Sequence, residues 1–161
     1  MTLTFSRWLA AASLVTCLST ACTTERFAIA DQVMRGARSA TEVAMMITPS
    51  EMRIGERVQV AVRTSQPGYL YLYQLNTDGT LNLVFPNAID GANYLAAGVT
   101  LLPRQDWELT ARGPAGVGYL LAVVADQRQD LTQISARART GRISNEGPYG
   151  AALSMLRERQ P

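Results

Sequence analysis

The sequence predicts a mainly β fold, a small antiparallel β-sandwich, with a partly open β-barrel as the alternative. Three observations predict it. Between Val43 and Ala125, short apolar or alternating runs recur, each closed by Gly, Pro, Asn or Asp. Two of these runs flank Asn76-Thr77-Asp78-Gly79, a hairpin turn in which Gly79 is free to take positive φ. No helical pattern long enough for a βαβ crossover lies between the runs.

The elements follow in order. Val43–Thr48 is apolar and stops at Pro49. Arg57–Thr64 alternates, with Val58, Val60 and Val62 on one face and Gln59, Ala61 and Arg63 on the other. Gly68–Leu75 sets Tyr69, Tyr71 and Tyr73 against Leu70, Leu72 and Gln74. Thr80–Phe85 returns from the turn with Leu81, Leu83 and Phe85 against Asn82 and Val84, completing a hairpin. Pro86-Asn87 ends that strand, and residues 86–98 form a loop rich in Asn, Asp and Gly. Val99–Leu102 is a short strand before Pro103. Trp107, Leu109 and Ala111 alternate with Asp106, Glu108 and Thr110 and suggest another. After the turn Gly113-Pro114-Ala115-Gly116, Gly118–Ala125 is almost continuously apolar, as in a central strand. Short helices are expected outside this region: near Ile29–Arg38, near Gln127–Ile134 and near Tyr149–Arg159, the last with Leu153 and Leu156 on one side.

Composition narrows the chemistry. A chain of 161 residues allows one modest domain and a targeting segment. Hydrophobic residues make up 47%, enough for a packed core. All 15 basic residues are Arg, and His is absent. The usual nucleophile–His pairs, His metal ligands, Schiff-base lysines and phosphate-loop lysines are therefore excluded. A net charge of +2 and no aromatic interleaving among the arginines argue against nucleic acid as a partner. The expectation is a protein without enzyme activity, cofactor or metal.

The N-terminus reads as an export signal. Arg7 precedes Trp8–Leu18, an uncharged stretch far shorter than the ~20 apolar residues of a membrane-spanning helix. It runs into Leu18-Ser19-Thr20-Ala21-Cys22, which resembles the lipobox of bacterial lipoproteins. That resemblance implies cleavage before Cys22 and lipid attachment at Cys22. Because Thr23 rather than Asp follows, it also implies the outer membrane, facing the periplasm. Other readings stay open: ordinary cleavage after Ala21, cleavage after Ala30 in Ala28-Ile29-Ala30, an uncleaved anchor, or a Cys17–Cys22 disulfide. The organisation is then a signal peptide over 1–21, a tether over 22–42, a β-domain over 43–126 and a polar, Arg-bearing tail over 127–161.

The residues GYLYLYQLNTDGTLNLVFPN (68–87), then Asn93, Gly98 and Pro103, then Gly113-Pro114-Ala115-Gly116, resemble an uncharacterised bacterial domain family. It is the domain of unknown function numbered 4384, found in lipoproteins and appended to larger envelope proteins. The resemblance spans roughly residues 43–126 and implies an envelope setting, but no catalytic residues.

Several residues are candidates for a binding surface: Tyr69, Tyr71, Tyr73, Asn87 and Asn93. Three rings on one strand face can stack a sugar or cradle a peptide, or can equally fill a sheet interface. Phe85-Pro86-Asn87 is a recognition loop or a mechanical strand end. Asp78, Asp90, Asp106 and Glu108 are turn acids unless two converge on a metal or a glycoside. Arg137, Arg139 and Arg142 suit anionic headgroups, an acidic partner or a solvated tail. Met45 and Met46 read as core filler. Together these features predict a lipid-anchored interaction module with a membrane and an envelope protein as partners, an accessory of a secretion or other envelope complex. Contact would fall on the hairpin edge, the 87–98 loop and the tail. The alternative is a lipoprotein that binds a small ligand or glycan.

Overall fold

The computed structural model describes residues 19–104, 106–112, 114–141, 143 and 147–160, with side chains from Ala28 onward. The export segment through Leu18, the cysteine at 17, the side chain of Cys22, Gly113 and Arg142 lie outside the described residues.

The elements run α1 (Ser19–Gly36), β1 (Val43–Thr48), β2 (Glu51–Arg53), β3 (Gln59–Thr64), β4 (Gly68–Leu75), β5 (Leu81–Phe85), β6 (Tyr94–Leu95), β7 (Gly98–Leu102), β8 (Gly116–Ala125), α2 (Leu131–Arg139) and β9 (Tyr149–Arg159). They form two sheets. Sheet A has the order β1-β3-β7, and sheet B has β2-β9-β8-β4-β5 with β6 added beside β4. Every pairing is antiparallel except β2 with β9. The mainly β sandwich is therefore the architecture, and no closed barrel forms.

Two cores explain the strand patterns. Ile47, Val60, Val62 and Leu102 of sheet A meet Leu70, Leu72, Leu120, Ala122, Val124 and Leu156 of sheet B. On its other face, sheet B packs Tyr71, Tyr73, Leu75, Leu121 and Val123 beneath Val33 of α1 and Ile134 and Ala138 of α2. The layers run sheet A, sheet B, helices. Strand β8 reads as a continuous apolar run because both of its faces are covered.

Helix α2 begins later than expected because Asp130 caps it. Its carboxylate accepts the N–H groups of Thr132 (2.8 Å) and Gln133 (3.3 Å). These bonds, led by that of Thr132, hold the Asp130 carboxyl below the ordinary range. Helix α1 starts earlier than expected, at Ser19, and stops at Gly36, where the Tyr149 hydroxyl occupies the space of a Cβ.

Two expectations are corrected. The segment Tyr149–Arg159 is a strand, not a helix, and the sheet thus continues well past residue 126. It pairs with β8 from Gly116↔Glu158 to Ala125↔Tyr149, and this pairing overrides the weak i,i+3 spacing of Leu153 and Leu156. Its Gly150 is dictated by proximity: a Cβ there would lie 2.3 Å from the Thr41 carbonyl oxygen. Second, Trp107–Ala111 is not a strand; it forms only a bridge between Arg57 and Thr110. The alternation there still reports burial, because Trp107 and Ala111 turn into the core.

Candidate functional site

The hairpin turns on Gly79 with φ of 89°, as its residue type requires. Of its three tyrosines, Tyr71 and Tyr73 are fully buried and present no ring to a ligand. Helices α1 and α2 cover that face, and their approach is not written in the strand itself. The Tyr71 hydroxyl accepts the Gln129 N–H at 2.7 Å. Burial pushes the Tyr73 hydroxyl far above the ordinary phenol range, with the neighbouring Tyr71 adding to the shift. Only Tyr69 stays half-exposed. It meets the exposed Tyr94 edge-to-face, ring centres 5.0 Å apart.

Both candidate asparagines serve the backbone. Asn93 is buried. Its amide donates to the Leu70 carbonyl at 3.1 Å and its carbonyl accepts the Leu70 N–H at 2.8 Å, fastening the loop to β4. The Asn87 side chain accepts the N–H groups of Ile89 (3.0 Å) and Asp90 (2.8 Å) and donates to Val84 O at 3.3 Å. Phe85 is buried in the sandwich core, so Phe85-Pro86-Asn87 is a mechanical strand end.

The loop closes on a buried carboxylate. Asp90 accepts from Arg104 Nε at 2.7 Å and from Arg104 Nη2 at 3.1 Å, a bidentate pair. Arg104 also donates to the Ala92 carbonyl, and Trp107 Nε1 donates to Asp90 at 3.4 Å. The guanidinium lies 5.2 Å over the Phe85 ring, which Trp107 faces at 6.4 Å with planes 8° apart. The hydrogen bond from Arg104 is the main reason the Asp90 carboxyl titrates below its ordinary range. The sequence offered no local sign of this cluster, because its members are 14 and 17 residues from Asp90.

Of the other candidate acids, Asp106 and Glu108 line one groove, and Asp78 lies apart in the hairpin turn. Asp78 accepts the N–H (2.8 Å) and hydroxyl (2.7 Å) of Thr80 within the turn, and Glu108 pairs with Arg57. Among the described residues, no three of His, Cys, Asp and Glu come together to hold a metal.

Two surfaces remain. One is an open groove of about 530 Å³ at the end of the sandwich, lined by Gln74, Asn82, Asn87, Asp106, Trp107 and Arg112 among others. Gln74 and Asn82 are cross-strand partners on β4 and β5, so two amides stand side by side in it. Amides, the acids Asp106 and Glu108, Arg112 and an apolar wall suit a polar, hydroxyl-rich ligand.

The second is the outer face of sheet A. Register aligns Met46, Ala61 and Leu101 in one row across β1, β3 and β7, and Ala44, Arg63 and Val99 in the next. Met46 is 65% exposed, Val99 64% and Leu101 55%. Met46 is thus not core filler. On a strand Met45 and Met46 must point to opposite faces, and only Met45 packs inward. That rule was the available signal for this face.

No curated protein matches the chain. The model of a family described as a domain of unknown function, DUF4384, matches residues 51–128. The matched span runs from β2 past the end of β8 and holds the hairpin, the Asp90 cluster and the groove, while β1, α2 and β9 fall outside it. Residues 51–128, just under half of the chain, are thus similar to the DUF4384 family.

Proposed function

We propose that this chain is a lipid-anchored, non-catalytic interaction module of the bacterial cell envelope. Acyl chains on Cys22 hold it at the periplasmic face of the outer membrane, and the outer face of sheet A docks a protein partner of an envelope assembly. The observation that carries this reading is the exposed patch of Met46, Val99 and Leu101 on a sheet face over which none of the described residues packs. Large apolar side chains grouped on one face, with Arg63 as the one charge in the two rows, match the core of a protein interface. The layer order adds direction. Helix α1, which contains Cys22, lies on one side of sheet B and sheet A lies on the other. An anchor at Cys22 leaves the sheet A face turned away from the bilayer.

Met46→Glu with Leu101→Glu tests it. Both side chains are solvent-facing, so stability should change by no more than about 1 kcal/mol in thermal unfolding. A crosslinked adduct formed by the wild-type chain in intact cells should disappear in the double variant. An adduct of unchanged yield would contradict docking through this face.

The groove favours a second reading, a glycan-binding lipoprotein. Adding soluble cell-wall oligosaccharides should shift the side-chain amide NMR signals of Gln74 and Asn82. Asn82→Ala should weaken binding roughly two- to tenfold, the worth of one hydrogen bond. Unmoved amide signals at millimolar ligand would rule the glycan out.

A further inference from the structure

We infer that the part of the helix-side face of sheet B which the helices leave bare lies against an anionic lipid surface. The inference rests on the anchoring reading above. Tyr149 and Ala151 of β9 pack among the helices. The unbroken pairing with β8 then brings Leu153, Met155, Arg157 and Arg159 onto that same face. Leu153 is 37% exposed and Met155 44%, although their cross-strand partners Leu121 and Tyr119 are buried.

Charge gathers at the end of this strip. Parallel pairing sets Glu51 beside Arg157 and Arg53 beside Arg159. Glu51 is taken by Arg159. Neither the Arg53 nor the Arg157 guanidinium forms an ion pair among the described residues, although the Arg53 main-chain N–H donates to the Glu56 carboxylate at 2.8 Å. An apolar strip ending in unpaired guanidinium groups suits the boundary between acyl chains and phosphate headgroups, where each arginine raises partitioning roughly fivefold.

The anchor enters from the same layer. Ala30 and Val33 of α1 are buried, and the Tyr149 hydroxyl donates to the Val33 carbonyl at 3.0 Å, so the C-terminal half of the helix is docked on the domain. Cys22 precedes Ala30 by eight residues within α1, about 12 Å of helix at 1.5 Å per residue. Lipid on Cys22 therefore brings the helix side of sheet B, rather than sheet A, close to the headgroups.

The test uses the native, detergent-extracted chain reconstituted into vesicles of phosphatidylcholine alone or with phosphatidylglycerol. A fluorescent unnatural amino acid sits at position 155 or, as a control, at position 46, and some lipids carry a headgroup quencher. The protein should float with both vesicle types. Fluorescence at 155 should be quenched only with phosphatidylglycerol, and at 46 in neither. Arg53→Ala with Arg157→Ala should abolish the quenching and leave flotation intact. Flotation without quenching at 155, or quenching indifferent to lipid charge and to both arginines, overturns this apposition and leaves the anchor standing. Stronger quenching at 46 than at 155 does the same. No flotation at all overturns both.

Discussion

Asp90→Ala is expected to destabilise the domain by about 3 kcal/mol, near the lower end for breaking a buried ion pair. The Asp90 side chain has no exposed surface, whereas that of Arg104 keeps 30% and is partly stabilised by water when orphaned. The variant also leaves Trp107 Nε1 and Arg104 Nε without their acceptor, while Arg104 Nη2 keeps the Ala92 carbonyl. Urea unfolding measures the loss, and adding Arg104→Leu should recover part of it by removing the stranded charge. The pH dependence follows from the direction of the shift. The folded carboxyl titrates below its unfolded value of about 3.9. Its contribution is therefore complete at neutral pH and is lost as pH falls through the lower, folded value. Asp90→Asn should flatten the decline in stability below about pH 4 relative to wild type. An acid profile parallel to that of wild type would contradict this role for Asp90.

A chain ending at Pro148 is expected not to fold. Its missing strand, β9, sits between β2 and β8, so deletion strips one edge of β8 along its whole length and removes Leu156 from the sandwich core, with the buried Ala152. Strand β8 is apolar on both faces, and its bared edge would be an aggregation site. The loss matches or exceeds a domain's whole stability, on the order of 5–15 kcal/mol. Size-exclusion chromatography should give aggregates, with no cooperative thermal transition. A monomer with a sharp melting transition would show that β9 is dispensable. For the same reason, the family-matched span 51–128 should not fold alone, since it lacks β1 and β9.

These expectations separate what the sequence made legible from what it did not. Strand β1 runs over the residues read as an apolar run closed by Pro49, and β4 over those read from alternation, because such runs and flanking turn residues are local signals. Strand β8 was legible as central because its run is apolar almost without a break. Strand β9 was not. Leu153 and Leu156 mimic helical spacing, and Gly150 lacks a side chain because of Thr41 and Val43, contacts remote in sequence. The tyrosine stripe failed as a binding face for a similar reason. Its alternation was correct, but α1 and α2, far along the chain, cover Tyr71 and Tyr73. Of the five candidate surface residues, Tyr69 and Asn87 keep partial exposure, and Asn93 is a buried brace. The surfaces that remain open, the Met46–Leu101 row and the Gln74–Asn82 groove, depend on strand register, which alternation alone leaves undetermined.

The proposed lipid at Cys22 would orient the docking face and the membrane-facing strip, so labelling with radioactive palmitate tests it most directly. Wild-type protein should incorporate the label and sediment with outer membranes, and Cys22→Ser should lose both properties. A native protein that begins at Asp31, carries no label and stays in the soluble fraction would contradict the anchor.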